Sequence, residues 1–196
     1  MENRMTFKQY RNMDIMIFAV LTAIFEALAT LATSRWFAGQ PVAISITLTL
    51  TLITMHRWGP YSAVTAAVGG LVLSIASGAS IEQYLIYTLG NVLALVSIAY
   101  FKAFGKEGVR ASFLKTLLFA STSYVAMALG RWLVSLVFGA GLKELVGFLV
   151  SDMISLLFAV AVLYCARGVD GLIEDQKQYV IRVNEKKEED VPLYDE

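Results

Sequence analysis

The stretch Asp14–Trp36, DIMIFAVLTAIFEALATLATSRW, decides how the rest of the chain is read. It is apolar for about 20 residues, and at about 1.5 Å per residue it can cross a bilayer core of about 30 Å as a helix. Ala19, Ala23 and Ala27 recur every four residues and form one smooth stripe where another helix can approach closely. Glu26 lies at membrane depth, where an acidic side chain costs roughly 2.5–3.5 kcal/mol and therefore needs a partner or a purpose. Arg35 and Trp36 follow as an interfacial pair that can cover what lies beneath them. The segment is predicted to dock a partner with one face and to help hold a ligand at its outer end.

The same reading extends along the chain. Of 196 residues, 57% are hydrophobic and 16% charged, against roughly 45–50% apolar residues in globular domains. This composition predicts an all-α integral membrane protein. Its apolar segments leave room for one membrane domain, residues 14–166, between a cytoplasmic N-terminal segment, 1–13, and a cytoplasmic tail, 167–196. The single cysteine, Cys165, cannot form an internal disulfide, and with the single histidine, His56, it is too little for a protein-only zinc site. No metal, cofactor or nucleic acid is expected. Arg4, Lys8 and Arg11 ahead of an apolar run could suggest a signal peptide cleaved near Ala27-Leu28-Ala29, but Glu26 interrupts that run and the topology needs the segment.

Six spans are predicted, at about Asp14–Ser34, Pro41–Met55, Pro60–Ser77, Ile81–Phe101, Phe113–Phe138 and Leu142–Ala166. The second alternates like a strand (ISITLTLTLIT), yet a lone strand in lipid leaves its backbone unpaired, so a helix is expected. Pro41 and Pro60 suit the first turns of their helices. With the N-terminus inside, Arg4, Lys8, Arg11, Arg57, Lys102, Lys106, Arg110, Lys115 and Arg167 fall on the inner side, while the outer connections hold Arg35 and Lys143. This positive-inside pattern makes both termini cytoplasmic in a compact six-helix bundle of a multi-pass cell-membrane protein. Trp58 reads as an interface anchor, His56 as a surface residue, and the tail as a helix through Asp170–Val183 that then frays. Ala63, Ala67, Gly70 and Ser74, with Gly90 and Gly130, mark close helix packing.

Counted along their helices, Glu26, Asn91, Arg131 and Asp152 all lie about 10–15 Å below the outer surface. Intramembrane charges face a bundle interior or a water-filled cavity. Gln83, Tyr87 and Asn91 share a face of the fourth helix with Glu82 and Tyr84 at its mouth, and Tyr124, Arg131 and Trp132 lie on the fifth. Aromatic walls with a few convergent polar groups are a pocket composition. Arg131 could equally pair with Asp152 or Glu26 to hold the helices in register. Even so, Glu26, Glu82 and Asp152 outnumber Arg131, which points to a cationic or donor-rich ligand.

With its six helices, the Ala19/Ala23 motif and segments such as PVAISITLTLTLITMHRWGPYSA and GGLVLSIASGASIEQYLIYTLGN, the chain resembles the substrate-binding S components of bacterial energy-coupling-factor (ECF) transporters. The resemblance implies that Ala19 and Ala23, with Ala27 continuing the stripe, dock a membrane-embedded T component that carries two cytoplasmic ATPases. It also implies that the polar layer binds a vitamin-like, partly aromatic nutrient, and that the protein topples in the membrane to release it. No Walker A loop, nucleophile elbow or H-E-x-x-H is present. An intramembrane enzyme using Glu26 and Asp152 as acid and base is one alternative, and a proton-coupled carrier working alone is another.

Overall fold

The computed structural model describes residues 6–38 and 43–189, and among these every regular element is helical. In order they are α1 (Phe7–Trp36), α2 (Thr47–Trp58), α3 (Ala63–Ala76), α4 (Ile81–Gly90), α5 (Ala99–Phe104), α6 (Lys106–Ala111), α7 (Phe113–Ser135), α8 (Leu142–Ser151), α9 (Met153–Ala166) and α10 (Gln176–Glu189). Short 3₁₀ stretches at Gly59–Ser62, Asn91–Ile98 and Leu136–Phe138 join or extend them. Among the described residues four helical stretches are long and apolar enough to cross a membrane: Phe7–Trp36, Thr47–Ala76, Ile81–Phe104 and Phe113–Phe138. The pair Leu142–Ser151 and Met153–Ala166, bent by 43° at their junction, makes a fifth if taken as one span.

Thr47–Ala76 is not a straight rod. Gly59 turns the chain at φ +58°, a conformation that side chains with a Cβ rarely adopt. A Cβ placed on Gly69 would sit 2.1 Å from Thr47 Oγ1, although a straight helix would hold those residues about 33 Å apart. So α2 and α3 form an antiparallel hairpin. The same alternation runs through the bundle. Glu26 meets Thr47 and Asp14 meets Arg57 across α1 and α2. Asn91 reaches the Ala66 carbonyl of α3, and Ser97 meets Ser123 of α7. Gly130 lets α7 touch α4, since a Cβ there would lie 2.2 Å from the Gly90 carbonyl oxygen.

At the centre lies α2, buried on nearly every face from Thr47 to Trp58. Its threonines do not make a strand. Thr54 returns its hydroxyl to the Leu50 carbonyl, which lets a polar residue sit inside a buried helix. Around it, α1 is built inside out. Thr22, Glu26, Thr30 and Thr33 face the bundle, whereas Met16, Val20, Ile24 and Leu28 are exposed. Such a helix fits lipid better than water.

Several sequence expectations change. The second helix begins only at Thr47: residues 43–45 have no regular structure, and Ala43 donates to the Ser151 carbonyl at 2.9 Å. Pro41 lies outside the described residues, and Pro60 sits in the 3₁₀ turn rather than in the first turn of α3. His56 is buried between the Phe101 and Phe119 rings, at 4.8 and 5.2 Å, and Trp58 donates its indole N–H to Asp14. Neither is a surface anchor. The reason is the sharp reversal at Gly59, which folds the end of α2 back into the bundle instead of leaving it in a surface loop.

The tail also differs. Asp170–Asp175 is not helical, and α10 starts only at Gln176. Basic side chains from three positions hold this segment against the Trp58 end of the bundle. Arg57 donates to the Gly171 and Leu172 carbonyls, Lys106 pairs with Asp175 at 2.6 Å, and Arg110 pairs with Glu174. Burial alone would raise the Asp175 carboxyl, but the Lys106 hydrogen bond and charge, with the Lys177 and Gln178 amides, hold it below its ordinary 3.8. A carboxyl lowered by folding contributes stability above its unfolded value and loses it as pH falls through the folded value. Protection of the Gln176–Glu189 amides, taken relative to their intrinsic exchange at each pH, is therefore expected to fall below about pH 4. Asp175→Asn should abolish that pH dependence, at a cost of about 1 kcal/mol for a half-buried pair near the surface. A flat protection profile in the wild type would count against this latch.

Candidate functional site

Two buried polar clusters sit below the end of the bundle where Trp36 lies. The first caps α2. Glu26, with no exposed surface, reaches from α1 to the N-terminus of α2, where its Oε2 accepts from Ile46 N and Thr47 N, both at 2.8 Å. The same oxygen accepts from Thr47 Oγ1 at 2.8 Å and Ser45 Oγ at 3.0 Å. Those amides would otherwise be unsatisfied, and the positive end of the helix favours an anion. Its other oxygen, Oε1, has no hydrogen-bond partner.

The second cluster surrounds Arg131, which is 1% exposed. Its guanidinium pairs with Asp152, donates to Asn91 Oδ1 at 2.7 Å and to Met127 sulfur at 3.4 Å, and lies 4.8 Å from the centre of the Tyr87 ring. Asn91 passes the connection on to the Ala66 carbonyl at 3.3 Å. Asp152 sits in the break between α8 and α9, where its own carbonyl still accepts from Ser155 N and Leu156 N. Nearby, Tyr124 donates to the Leu149 carbonyl in α8, and Ser155 Oγ accepts from Ser45 N at 2.8 Å. The two clusters together lock α1, α2, α4, α7 and the α8–α9 bend at one level.

Above them the bundle opens. A cleft of about 390 Å³ is bounded by Thr30, Thr33, Ser34, Leu73, Ser77, Gln83, Tyr87, Ser151 and Asp152. A second, of about 570 Å³, lies between α4 and the α7–α8 connection, with Glu82, Ser135, Phe138, Glu144 and Phe148 on its walls. Gln83 and Tyr87 belong to both clefts, and Tyr87 stands edge-on to Phe148 at 6.0 Å. Asp152 is the ionisable floor of the first cleft, and Glu82 and Glu144 supply acid to the second. Among the described residues no lysine or arginine lines either one. Such a site accepts hydrogen bonds and positive charge, with one aromatic ring between two compartments.

The predicted site residues divide accordingly. Gln83, Tyr87 and Asp152 line the first cleft and Glu82 the second. Asn91, Tyr124 and Arg131 stand behind the wall as a positioning layer, and Glu26 lies beneath it on the α2 cap. Arg35 and Trp36 are exposed, with Trp36 78% accessible, and line neither cleft. The same holds for the half-buried Tyr84 and Trp132, the latter donating to the Gly141 carbonyl at 3.0 Å. Ala19, Ala23 and Ala27 are half-buried, at the border between the buried and exposed faces of α1. Sequence reading missed Thr30, Thr33, Ser34, Ser77, Ser151 and Glu144. A signal existed for three of them, since Thr30, Thr33 and Ser34 follow Glu26 at helical spacing and so share its face.

The charge count also changes. With Glu26 held by the α2 N-terminus and Asp152 by Arg131, the excess of carboxylates no longer rests on Glu26. Glu82 and Glu144 give the second cleft its acidic character, while Asp152, paired with Arg131, borders the first. Comparison with protein-family models, curated proteins and solved structures finds no match to this chain.

Proposed function

We propose that the chain is the substrate-binding membrane subunit of an importer of the ECF type, taking a small, partly aromatic, donor-bearing nutrient into the cleft bounded by α1, α3, α4 and the α8–α9 bend. The observation that carries this reading is the cleft itself. Its wall sets Thr, Ser, Gln and Tyr side chains among apolar ones, carries no lysine or arginine among the described residues, and includes a carboxylate that Arg131 pairs from behind. The reversal at Gly59 supports six crossings, because it separates α2, about 18 Å of helix, from α3 as two antiparallel segments. Arg57, Lys102, Lys106, Arg110, Lys115 and Arg167 gather toward the Trp58 end, which supports a cytoplasmic position for that end and an outward cleft. The partners in this reading are a T component and ATPase subunits, because the ligand-binding subunit has no nucleotide-binding loop of its own.

The test is mass spectrometry of the full chain purified from bacterial membranes, together with the small molecule and proteins that accompany it. A nitrogen-rich or cationic ligand together with a T component supports the reading, and a purely anionic ligand overturns it. Concentrative uptake by the purified chain in liposomes under an ion gradient would instead favour the carrier working alone. Ala23→Trp is expected to abolish assembly with the T component and leave ligand binding within about twofold, since the ring blocks close approach on α1 below the cleft. Loss of binding with assembly intact would assign the alanine stripe to another task.

A further inference from the structure

We infer that the Trp58 end of the bundle carries seats for the phosphate headgroups of anionic phospholipids, built by Arg11 on Tyr61, Lys115 on Phe104 and Arg167 on Tyr164. The inference needs only that the helices cross a membrane, and it does not depend on the importer reading. Basic residues at that end fall into two sets. Arg57, Lys106 and Arg110 are spent on the protein itself, meeting Asp14 at 2.7 Å, Asp175 at 2.6 Å and Glu174. Arg11, Lys115 and Arg167 meet no carboxylate among the described residues. Asp14, the acid within a helical turn of Arg11, is already held by Arg57 and the Trp58 indole.

Each of the three lies on an aromatic ring instead. The Arg11 guanidinium is 4.1 Å from the centre of the Tyr61 ring and donates to its hydroxyl at 2.8 Å, Lys115 Nζ is 4.9 Å from the Phe104 ring, and the Arg167 guanidinium is 3.8 Å from the Tyr164 ring. The three cations are half-buried and the three rings exposed. A ring steadies a cation through its face without neutralising it, and a stacked guanidinium keeps its N–H edge free for phosphate oxygens. Exposed apolar side chains flank the seats, Phe7 and Met13 on α1 and Phe113 and Leu114 on α7, with Phe113 edge-on to Tyr164 at 5.5 Å. Apolar surface, ring and cation together suit the boundary between acyl chains and headgroups. The distribution points to the occupant. The seats lie on α1 with the α2–α3 turn, between α5 and α7, and at the end of α9, so a protein docked on one side would miss some of them, whereas surrounding headgroups meet them all. Toward the Trp36 end neither Arg35 nor Lys143 lies over a ring among the described residues.

The test is melting of the full chain in neutral detergent as phosphatidylglycerol is added, with phosphatidylcholine of the same acyl chains and free glycerol phosphate as comparisons. Phosphatidylglycerol should raise the melting temperature, and less so at high salt. Phosphatidylcholine, which brings its own cation, should raise it much less, and glycerol phosphate not at all. Arg11→Gln, Lys115→Gln and Arg167→Gln should each raise the phosphatidylglycerol concentration needed for half the effect about fivefold, and together about 100-fold, since a basic residue near an anionic surface contributes about 1 kcal/mol. Their lipid-free melting temperatures should not change, because none of the three breaks an ion pair among the described residues. Should the triple variant not fold, the single variants carry the same comparison. Arg35→Gln with Lys143→Gln, at the other end, should keep the response within about twofold. An equal shift with phosphatidylcholine, a shift with glycerol phosphate as large as with the lipid, the same loss in the Arg35 and Lys143 variant, or an undiminished response in every single variant overturns the assignment.

Discussion

Asp152→Ala is expected to destabilise the bundle by about 3–5 kcal/mol, the range for removing one partner of a buried ion pair. Arg131 would be left as a guanidinium at 1% exposure, with only Asn91 and Met127 to bond and no anion beside it. Because Asp152 also lines the cleft, ligand affinity should fall in the same variant. The two effects separate by replacing both partners. Arg131→Met with Asp152→Leu removes both charges and should recover much of the lost stability, as apolar substitution of buried pairs often does. It should not recover ligand binding. Unfolding in mixed detergent micelles measures the first quantity and ligand titration the second. An Asp152→Ala protein as stable as the wild type would mean that the pair does not hold the α8–α9 bend onto α7. Sequence reasoning left open whether Arg131 pairs within the protein or meets the ligand, and the geometry favours a pair with one carboxylate bordering the cleft.

Glu26→Ala should cost about 3 kcal/mol or more. It strips a shared acceptor from two amides and two hydroxyls at a helix start to which water has little access. Glu26→Gln keeps an oxygen for the Ile46 and Thr47 amides and loses only the charge that the helix end favours. Its cost should therefore stay near 1 kcal/mol. Hydrogen exchange at Ile46 and Thr47 localises the effect, since both amides should lose protection in Glu26→Ala and largely keep it in Glu26→Gln. A Glu26→Ala variant of unchanged stability and protection would show that the cap contributes little. This variant also bears on the acid–base alternative, because an enzyme would tolerate the loss of a catalytic carboxylate without losing the start of α2.

Much of the fold was legible because it depends on local quantities. A lone strand would leave its backbone groups unpaired, and Thr47–Trp58, buried on nearly every face, is helical despite its alternating pattern. Gly90 and Gly130 marked a close crossing from composition alone, and the structure places each against the other's helix. The depth count brought Glu26, Asn91, Arg131 and Asp152 to one level; Asn91, Arg131 and Asp152 meet, while Glu26 caps α2 instead. Depth along a helix is a sum of residues, so it needs no knowledge of neighbours.

Which faces meet is a different matter. In a soluble helix the apolar stripe marks the inside, but in lipid both the buried and the exposed faces can be apolar, so the pattern does not fix rotation. On α1 the deciding residues were the polar ones, Thr22, Glu26, Thr30 and Thr33, rather than the alanine stripe. The sequence by itself determined that this chain is helical, with several stretches long and apolar enough to cross a membrane and a few polar groups set within them. Only the tertiary structure decided that Glu26 caps α2, that Asp152 sits at the α8–α9 bend beside Arg131, and that His56 and Trp58 turn inward. Each of those outcomes depends on the rotation and register of two segments distant in the chain, and the free energy that sets them comes from contacts neither segment can make alone.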